Sequence, residues 1–586
     1  MRQWMVAAKK ADFYAIAEKF HVDPVVARII RNREVIGEKN IRIYLGGNLS
    51  DLSDPHQMKD MDRLVEILAQ KIRKQVRIRI IGDYDVDGVT SSHLFLTALR
   101  RVGAKVDVVI PYRIQDGYGL SLHLLQQAKE DGVDTILTCD NGIAAIDEIA
   151  WAKAQKMTVL VTDHHAVPFE EHEGRRTEKK SLADAVVNPH QQDCGYPYKE
   201  LCGAGVAWNV IRVLYENYDM DKREAEDLLD FVAMATVCDV MSLTGENRIL
   251  VKEGLKRIRH TKNIGLQALM QACNVQPENI SAYHFGYVLG PCVNATGRLD
   301  TARHALRLFE TGQETEAEEI ARDLVDLNQE RKELTLQGVE MAKKLCEEGG
   351  YENDPVLVLF LPDVHESIAG LIAGRIREMY NRPVFVLTRG EEGVKGSGRS
   401  TENYSMYENM CGCVELFTKF GGHPMAAGLS LPEENVEKFR RKINENCPLT
   451  VEEVCPDIHI DMAMPVGYAS TELVHQFALL EPFGKDNPSP LFADRNLSIS
   501  RMWLIGKNRN VLRMSVLSEY GQPVPVIFFG DVETLFAYFT EKFGQEEVEN
   551  ALHGRKNRIL FSMVYTAKID FYQGNENLQL EMKYYR

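Results

Sequence analysis

Four short apolar runs alternate with helix-like stretches between residues 76 and 163, and each of the runs around the sheet-edge positions is followed by polar or acidic residues. Val76-Arg77-Ile78-Arg79-Ile80-Ile81 leads into Gly82-Asp83-Tyr84-Asp85-Val86-Asp87-Gly88, and a helical pattern follows over 90–101. The next runs cover 106–111, 135–140 and 157–163, with helical patterns over 120–129 and 144–155 between them. Strands that alternate with helices of this length form βαβ units, because parallel neighbours need a crossover connection. A parallel sheet of this kind collects ligands outside the carboxyl ends of its strands. Asp85, Asp87, Asp140 and Asp163 all fall at or just past such ends, which predicts one shared site.

The residue types there point to a metal. Three acids packed at one strand end, Asp83, Asp85 and Asp87, repel each other and call for a cation or strong hydrogen bonds. An EF-hand loop is excluded, because no glutamate stands at the twelfth position and the segment follows a strand rather than a helix. The bland alternative is an acidic N-cap with spare carboxylates. Asp163-His164-His165 adds imidazole to carboxylate without thiolate, a donor set that suits Mn²⁺, Mg²⁺ or Zn²⁺. Asp239 lies in the apolar segment Ala235-Thr236-Val237-Cys238-Asp239-Val240-Met241, where an acid is either satisfied in the core or a ligand. Neither a Walker A sequence nor G-x-S-x-G occurs.

Downstream, 206–270 reads as mainly helical and 314–348 as a long charged helix suited to a connector. A second α/β pattern begins with a strand at 355–360, a helix over 366–380 and a strand at 383–387. After about residue 455, short strand-like runs separated by turn residues predict a small barrel. Arg298 follows a glycine in a small-residue turn, and Gly396-Ser397-Gly398-Arg399-Ser400 reads as a turn offering backbone amides, hydroxyls and a guanidinium to phosphate. Gly421-Gly422-His423 reads as a glycine-rich turn that allows close backbone approach.

Taken in order, Asp85-x-Asp87, Asp140, Asp163-His164-His165 and Asp239 resemble the four motifs of the DHH phosphoesterases. Gly290-Pro291-Cys292-Val293-Asn294-Ala295-Thr296-Gly297-Arg298 is similar to a motif that follows the catalytic domain in that family's single-strand exonucleases. Gly421-Gly422-His423-Pro424-Met425-Ala426-Ala427-Gly428 is similar to the motif of the DHH-associated domain. Glu481-Pro482-Phe483-Gly484-Lys485-Asp486-Asn487-Pro488-Ser489-Pro490 resembles the segment that leads into an OB-fold. The family often carries a histidine where Ile81 stands, and Asp83 is expected to compensate.

The resemblance implies an α/β fold: a parallel-sheet catalytic domain over 76–310, a connecting helix over 311–350, a DHH-associated α/β domain over 351–455 and an OB-fold barrel over 456–586. The first 75 residues carry no motif and are expected to pack near the catalytic domain. Asp83, Asp85, Asp87, Asp140, His164 and Asp239 are implied to bind two ions, Mn²⁺ or Mg²⁺, with Asp140 bridging. Asp163 is expected to hold a histidine tautomer, and His165 to act on the scissile phosphate. Asn294, Arg298, Ser397, Arg399 and His423 are expected to bind the substrate phosphate and the 5′ end. The implied activity is 5′→3′ exonucleolysis of single-stranded DNA to mononucleotides in repair and recombination. A helicase and a single-strand-binding protein are the implied partners.

Two rivals stand beside this. One is a small-substrate member of the same superfamily, cleaving short oligonucleotides, cyclic dinucleotides or pyrophosphate; the β-rich tail weighs against it. The other is a non-catalytic single-strand-binding scaffold, whose signature would be loss of ligands. The net charge of −16 disfavours an overall nucleic-acid coat but leaves room for a local basic groove. In the tail, Trp503, Phe528, Phe529 and Tyr572 accompany Lys507, Arg509, Arg555, Lys556 and Arg558, a mixture that suits single strands, although aromatics in short strands are more often core. The eleven cysteines form no C-x-x-C pair, the first residues given hold no apolar run long enough for a secretory signal, and no run of membrane length occurs, so neither is expected. A cytoplasmic monomer with reduced thiols is expected.

Overall fold

Strands β1 (Arg77–Ile81), β2 (Lys105–Val109), β3 (Thr135–Cys139), β4 (Thr158–Thr162) and β5 (Ala185–Val187) form one parallel sheet in the order β2-β1-β3-β4-β5. The chain leaves β1 for β2 on one side and then returns to β3 on the other. The order therefore reverses between β1 and β3, and a crevice opens at such a switch point. This is a computed structural model that describes residues 3–586 except 114–115, 117–118, 173–174, 352, 391–392, 507–509 and 573. Among the described residues, no helix is long and apolar enough to cross a membrane.

The chain divides into two units, Asn48–Pro456 and Arg2–Gly47 with Asp457–Arg586. In the first, helix α1 (Val86–Arg101) follows β1 and packs on α2 (Gly203–Asn217) and α3 (Leu229–Cys238). α1 starts four residues earlier than its apolar pattern suggests, because the Asp85 side chain caps it. After α4 (Gly290–Leu299), the charged pattern over 314–348 is a single helix, α5 (Glu314–Glu348). It leads to a second sheet of β6 (Leu357–Phe360), β7 (Val384–Gly390), β8 (Gly393–Arg399), β9 (Lys419–His423) and β10 (Ala426–Leu431), ordered β9-β10-β8-β7-β6. Helix α6 (Glu366–Tyr380) packs on β7 and β8.

The core of the first unit holds a titratable group that matters for its acid stability. His93, on α1, is buried against the rings of Phe231 and Phe309 at 4.5 and 5.8 Å. Its Nδ1 has no hydrogen-bond partner among the described residues. Burial, helped by the charge of Arg100, pushes its pKa down to about 3. The unfolded chain takes up a proton below about pH 6.5 that the folded chain refuses, so this stability is lost as pH falls from 6.5 towards 3. Between pH 6.5 and 5 the loss amounts to about 2 kcal/mol. His93→Gln is expected to flatten that part of the curve, which parallel thermal melts of both proteins from pH 7 to 5 would reveal. Equal slopes would contradict it.

In the second unit, strands Phe492–Ile505, Val511–Leu517, Pro523–Phe528, Asn575–Tyr585 and Leu560–Tyr572 pair in that order, and the last pairs back onto the first. That closure makes the barrel expected of the β-rich tail. Helices Val532–Phe543 and Gln545–Leu552 are inserted, and the tail's strand pattern does not announce them. Phe528 is core, Phe529 is exposed, and Trp503 has the guanidinium groups of Arg501 and Arg513 at 5.7 and 5.8 Å. Lys507, Arg509 and the side chain of Tyr572 lie outside what is described.

Within the segment that precedes β1, residues up to Gly47 group with the barrel and those from Asn48 onward group with the first unit. Trp4–Val6 pairs in parallel with Ile458–Ile460, and the helices Phe13–Phe20, Pro24–Asn32 and Glu38–Gly46 bury Val26, Ile29, Ile30 and Tyr44 in the core shared with the barrel. An amphipathic face in a sequence announces burial without naming the partner. A buried ion pair ties the segment down: Arg33 donates from Nη1 to Asp461 Oδ1 at 2.7 Å and from Nη2 to Oδ2 at 3.1 Å. Asp461→Ala strands the Arg33 cation in a buried position, which costs about 3–5 kcal/mol. A urea titration of the full chain is expected to show this unit unfolding first; an unchanged midpoint would overturn the assignment.

Candidate active site

Motif one is built by close packing around glycines. A Cβ at Gly82 would lie 2.0 Å from Ser92 Oγ, and one at Gly88 2.4 Å from the Asp83 nitrogen. The turn after β1 therefore lies directly on α1. Asp85 accepts hydrogen bonds from the Asp87 and Gly88 amides at 2.9 and 3.1 Å. Asp87 accepts the Gly203 and Ala204 amides at the N-terminus of α2, at 2.6 and 2.7 Å, where the helix dipole favours a carboxylate. Asp140 follows β3 in a left-handed conformation, φ 61°, and Gly203 packs so closely that a Cβ there would be 2.6 Å from Asp140 Cβ.

Asp163-His164-His165 follows β4, and the three residues divide the work. Asp163 Oδ1 accepts the amides of His164 and His165 at 2.7 and 3.0 Å and Nδ1 of His165 at 2.7 Å. Its Oδ2 accepts the Ile143 amide at 2.9 Å. Burial works to raise the Asp163 carboxyl, but the hydrogen bond and charge of His165 outweigh it and leave it lowered. His165 is correspondingly raised to about 9 in spite of its own burial. His164 points its Nε2 at three carboxylates, 3.0 Å from Asp140, 3.6 Å from Asp239 and 3.7 Å from Asp87. Asp239 arrives from another direction, as the C-cap of α3, and is partly exposed rather than enclosed in the core.

Three donor sets within this cluster each have ligand atoms within 4.8 Å of one another: Asp83, Asp85 and Asp140; Asp87, His164 and Asp239; and Asp140, His164 and His165. Burial, followed by the charge of Asp85, drives the Asp83 carboxyl well above the usual range. Asp140 is driven the same way by burial and then by Asp87. Asp83 Oδ1 and His164 Nε2 are buried without a hydrogen-bond partner among the described residues. Oxygen and imidazole donors, mutually repelling and incompletely satisfied, fit divalent cations. Ile81, at the end of β1, is wholly buried in the core, so Asp83 is the side chain at this edge that faces the other acids.

A cavity of about 450 Å³ lies in the same unit, lined by Tyr84 and Arg113 from the first domain and by Ser367, Lys395, Ser397 and Lys419 from the second. Arg298 and Arg399 belong to its cationic surroundings. Burial and then the charge of Arg113 lower Arg298 to about 10, while burial and the charges of Arg377 and Arg113 lower Arg399. Arg298 donates to the Ser367 carbonyl at 2.6 Å, and Arg399 to the Gly398 carbonyl at 2.7 Å. Guanidinium groups whose charge is disfavoured by burial and by neighbouring guanidinium groups, as at Arg298 and Arg399, suit an anion.

Several local readings change. Arg298 lies on a helix, α4, not in a small-residue turn. Gly396 to Arg399 belongs to β8, between β7 and β10, so its backbone is engaged by the sheet instead of open to phosphate. Its glycines serve packing: a Cβ at Gly398 would lie 2.3 Å from Met406 Sδ. Asn294 is drawn into motif one, where its Oδ1 accepts the Val86 amide at 3.1 Å. His423 ends β9 in a hairpin and is exposed; Gly421 lines the cavity and His423 does not. Arg113, Lys395 and Lys419 escaped notice, yet Arg113 follows β2 at the same carboxyl edge that revealed the acids.

Fold and site together define a phosphoesterase of the DHH type. Residues 77–236 match the DHH family N-terminal domain, 353–447 the DHHA1 domain and 460–584 the RecJ OB domain. The single-stranded-DNA-specific exonuclease RecJ of Bacillus subtilis is 33% identical over 87% of this chain, which spans 63% of that longer protein. The same-named protein of Haemophilus influenzae is 32% identical over 96% of this chain and 96% of its own length. The crystal structure of RecJ in complex with Mn²⁺ from Thermus thermophilus superposes with a TM-score of 0.81 at 25% identity, covering 100% of this chain and 79% of that one. The chain belongs to the RecJ family.

Proposed function

We propose that this chain degrades single-stranded DNA from its 5′ end by two-metal phosphodiester hydrolysis, releasing 5′-mononucleotides in DNA repair and recombination. The observation that carries this reading is the carboxylate–imidazole cluster at the sheet's switch point, with a cavity in the same unit that Arg113, Lys395 and Lys419 help to line. Asp83, Asp85 and Asp140 would hold one Mn²⁺ or Mg²⁺, and Asp87, His164 and Asp239 would hold a second. Bound there, the ions supply water of lowered pKa and positive charge for the attacked phosphate. Asp87 is fixed by the amides of α2, so its oxygens keep their direction as substrate enters.

Asp163 holds His165 through Nδ1, which keeps that ring protonated and oriented to donate to a phosphate oxygen. Arg298, Ser397 and Arg399 take the 5′-terminal phosphate, assisted by Arg113, and so set the direction of attack. Asn294 acts through motif one, by fixing the Val86 amide. The same reading has the enzyme in the cytoplasm, as a monomer, on strands that a helicase opens and a single-strand-binding protein coats.

Digestion of 5′-labelled and 3′-labelled single strands with Mn²⁺ tests this. Early release of the 5′ label as mononucleotide supports it. Cleavage confined to two- to five-residue oligonucleotides would replace it with a small-substrate phosphodiesterase, and tight binding without cleavage would leave a scaffold.

A further inference from the structure

Behind the site, two thiols touch. Cys273 Sγ and Cys292 Sγ are 3.7 Å apart, although the residues lie on different helices. Cys273 caps the C-terminus of the helix Ile264–Ala272, and Cys292 is in the first turn of α4. Cys292 also accepts from the Asn328 amide at 3.4 Å, and its thiol faces the Val288 carbonyl at 3.3 Å. Arg331 and Lys332, on α5, add positive charge nearby. The hydrogen bond from Cys273, then Asn328 and those charges, lower the Cys292 thiol against its burial. Cys292 is buried and Cys273 half-buried, so the pair is open to solvent only on the Cys273 side.

We propose that Cys273 and Cys292 form an oxidisable dithiol that a hydroperoxide converts to a disulfide, displacing α4 and slowing strand cleavage. One thiol of the pair ionises and its thiolate attacks hydrogen peroxide; the O–O bond breaks, a sulfenic acid forms, and the departing hydroxide takes up the proton the thiol released to give one water. The second thiol attacks the sulfenic sulfur, the S–S bond forms, and the hydroxyl leaves as a second water. Two thiols thus supply the two electrons that reduce the peroxide. The product is a transient intracellular disulfide of the kind used in redox sensing rather than a structural staple.

The consequence for the site follows from how tightly α4 is wedged. Bonding brings the sulfurs from 3.7 Å to about 2.05 Å, and whatever part of that change side-chain rotation does not absorb falls on the two helices. At one end of α4, a Cβ on Gly290 would lie 2.3 Å from Cys238 Sγ, one residue before Asp239. Towards its other end, a Cβ on Gly297 would lie 2.4 Å from the Tyr84 carbonyl in motif one. Asn294, between them, holds the Val86 amide. A shift of α4 therefore reaches two groups of acids at once.

The activity half of this inference rests on the function proposed above, and the chemistry half does not. The test treats the Mn²⁺-loaded full chain with a few equivalents of hydrogen peroxide, then maps linked peptides by mass spectrometry and assays cleavage of a labelled strand. The expected result is a Cys273–Cys292 peptide lighter by about 2 Da, a fall in cleavage of fivefold or more, and recovery with dithiothreitol. Cys273→Ser is expected to keep basal activity and lose the response. No linked peptide, sulfinic acid in its place, or a linked peptide with unaltered cleavage would overturn the proposal. A chain that forms the linked peptide yet never cleaves DNA would sink the proposed function while leaving the dithiol chemistry intact.

Discussion

Asp140→Asn is expected to lower single-strand cleavage by about 10³-fold or more and to remove most of the thermal stabilisation that Mn²⁺ is expected to give the wild-type chain. Asn is the informative replacement, because it tolerates the left-handed backbone at φ 61° and keeps the packing against Gly203. What it removes is one buried negative charge shared by two of the donor sets. Losing about 4 kcal/mol of charge stabilisation in the transition state corresponds to that rate factor. The metal-free variant should melt no lower than the metal-free wild type, since burial and Asp87 already disfavour the Asp140 carboxylate. Cleavage within tenfold of wild type, or an equal Mn²⁺-induced shift in both proteins, would remove Asp140 from the metal site.

Arg399→Ala is the second large effect. A charge-assisted hydrogen bond contributes about 1.5–3 kcal/mol, so cleavage of a 5′-phosphorylated strand should fall roughly 10- to 150-fold. A strand with a 5′-hydroxyl should lose far less, because it lacks the anion that the guanidinium meets. Removing a cation that burial and the charges of Arg377 and Arg113 already disfavour should not reduce the thermal midpoint, which separates lost recognition from lost fold. Equal losses on both substrates would move the 5′-end site elsewhere. Repeating the comparison with Arg113→Ala asks whether the residue that the motifs did not reveal shares the work.

The strand-end acids were legible for a local reason. A buried parallel strand must be an apolar run, and a polar residue that ends it marks the carboxyl edge where the site lies. The helices over 314–348 and 366–380 were equally legible, since helical patterning is written within a few turns of the chain. Gly396-Ser397-Gly398-Arg399 misled for the opposite reason. Glycine and serine favour turns locally, but here the glycines make room for Phe385, Met406 and the neighbouring strands. Asn294 stood in a recognisable motif, yet only its contact with Val86 shows that it braces motif one.

By itself, the sequence determined the βα alternation, the acids at the strand ends, the long connecting helix and the resemblance that orders the domains. Only the tertiary structure decided that residues 2–47 join the barrel, that the charge of Arg113 is felt at Arg298 and Arg399, and that His164 faces Asp87, Asp140 and Asp239 together. The physical reason is range. Propensity and periodicity act over a few residues and settle which segments are helix or strand. Which faces meet depends on apolar burial summed over segments hundreds of residues apart, and burial is proportional to area without recording where in the chain the partner lies.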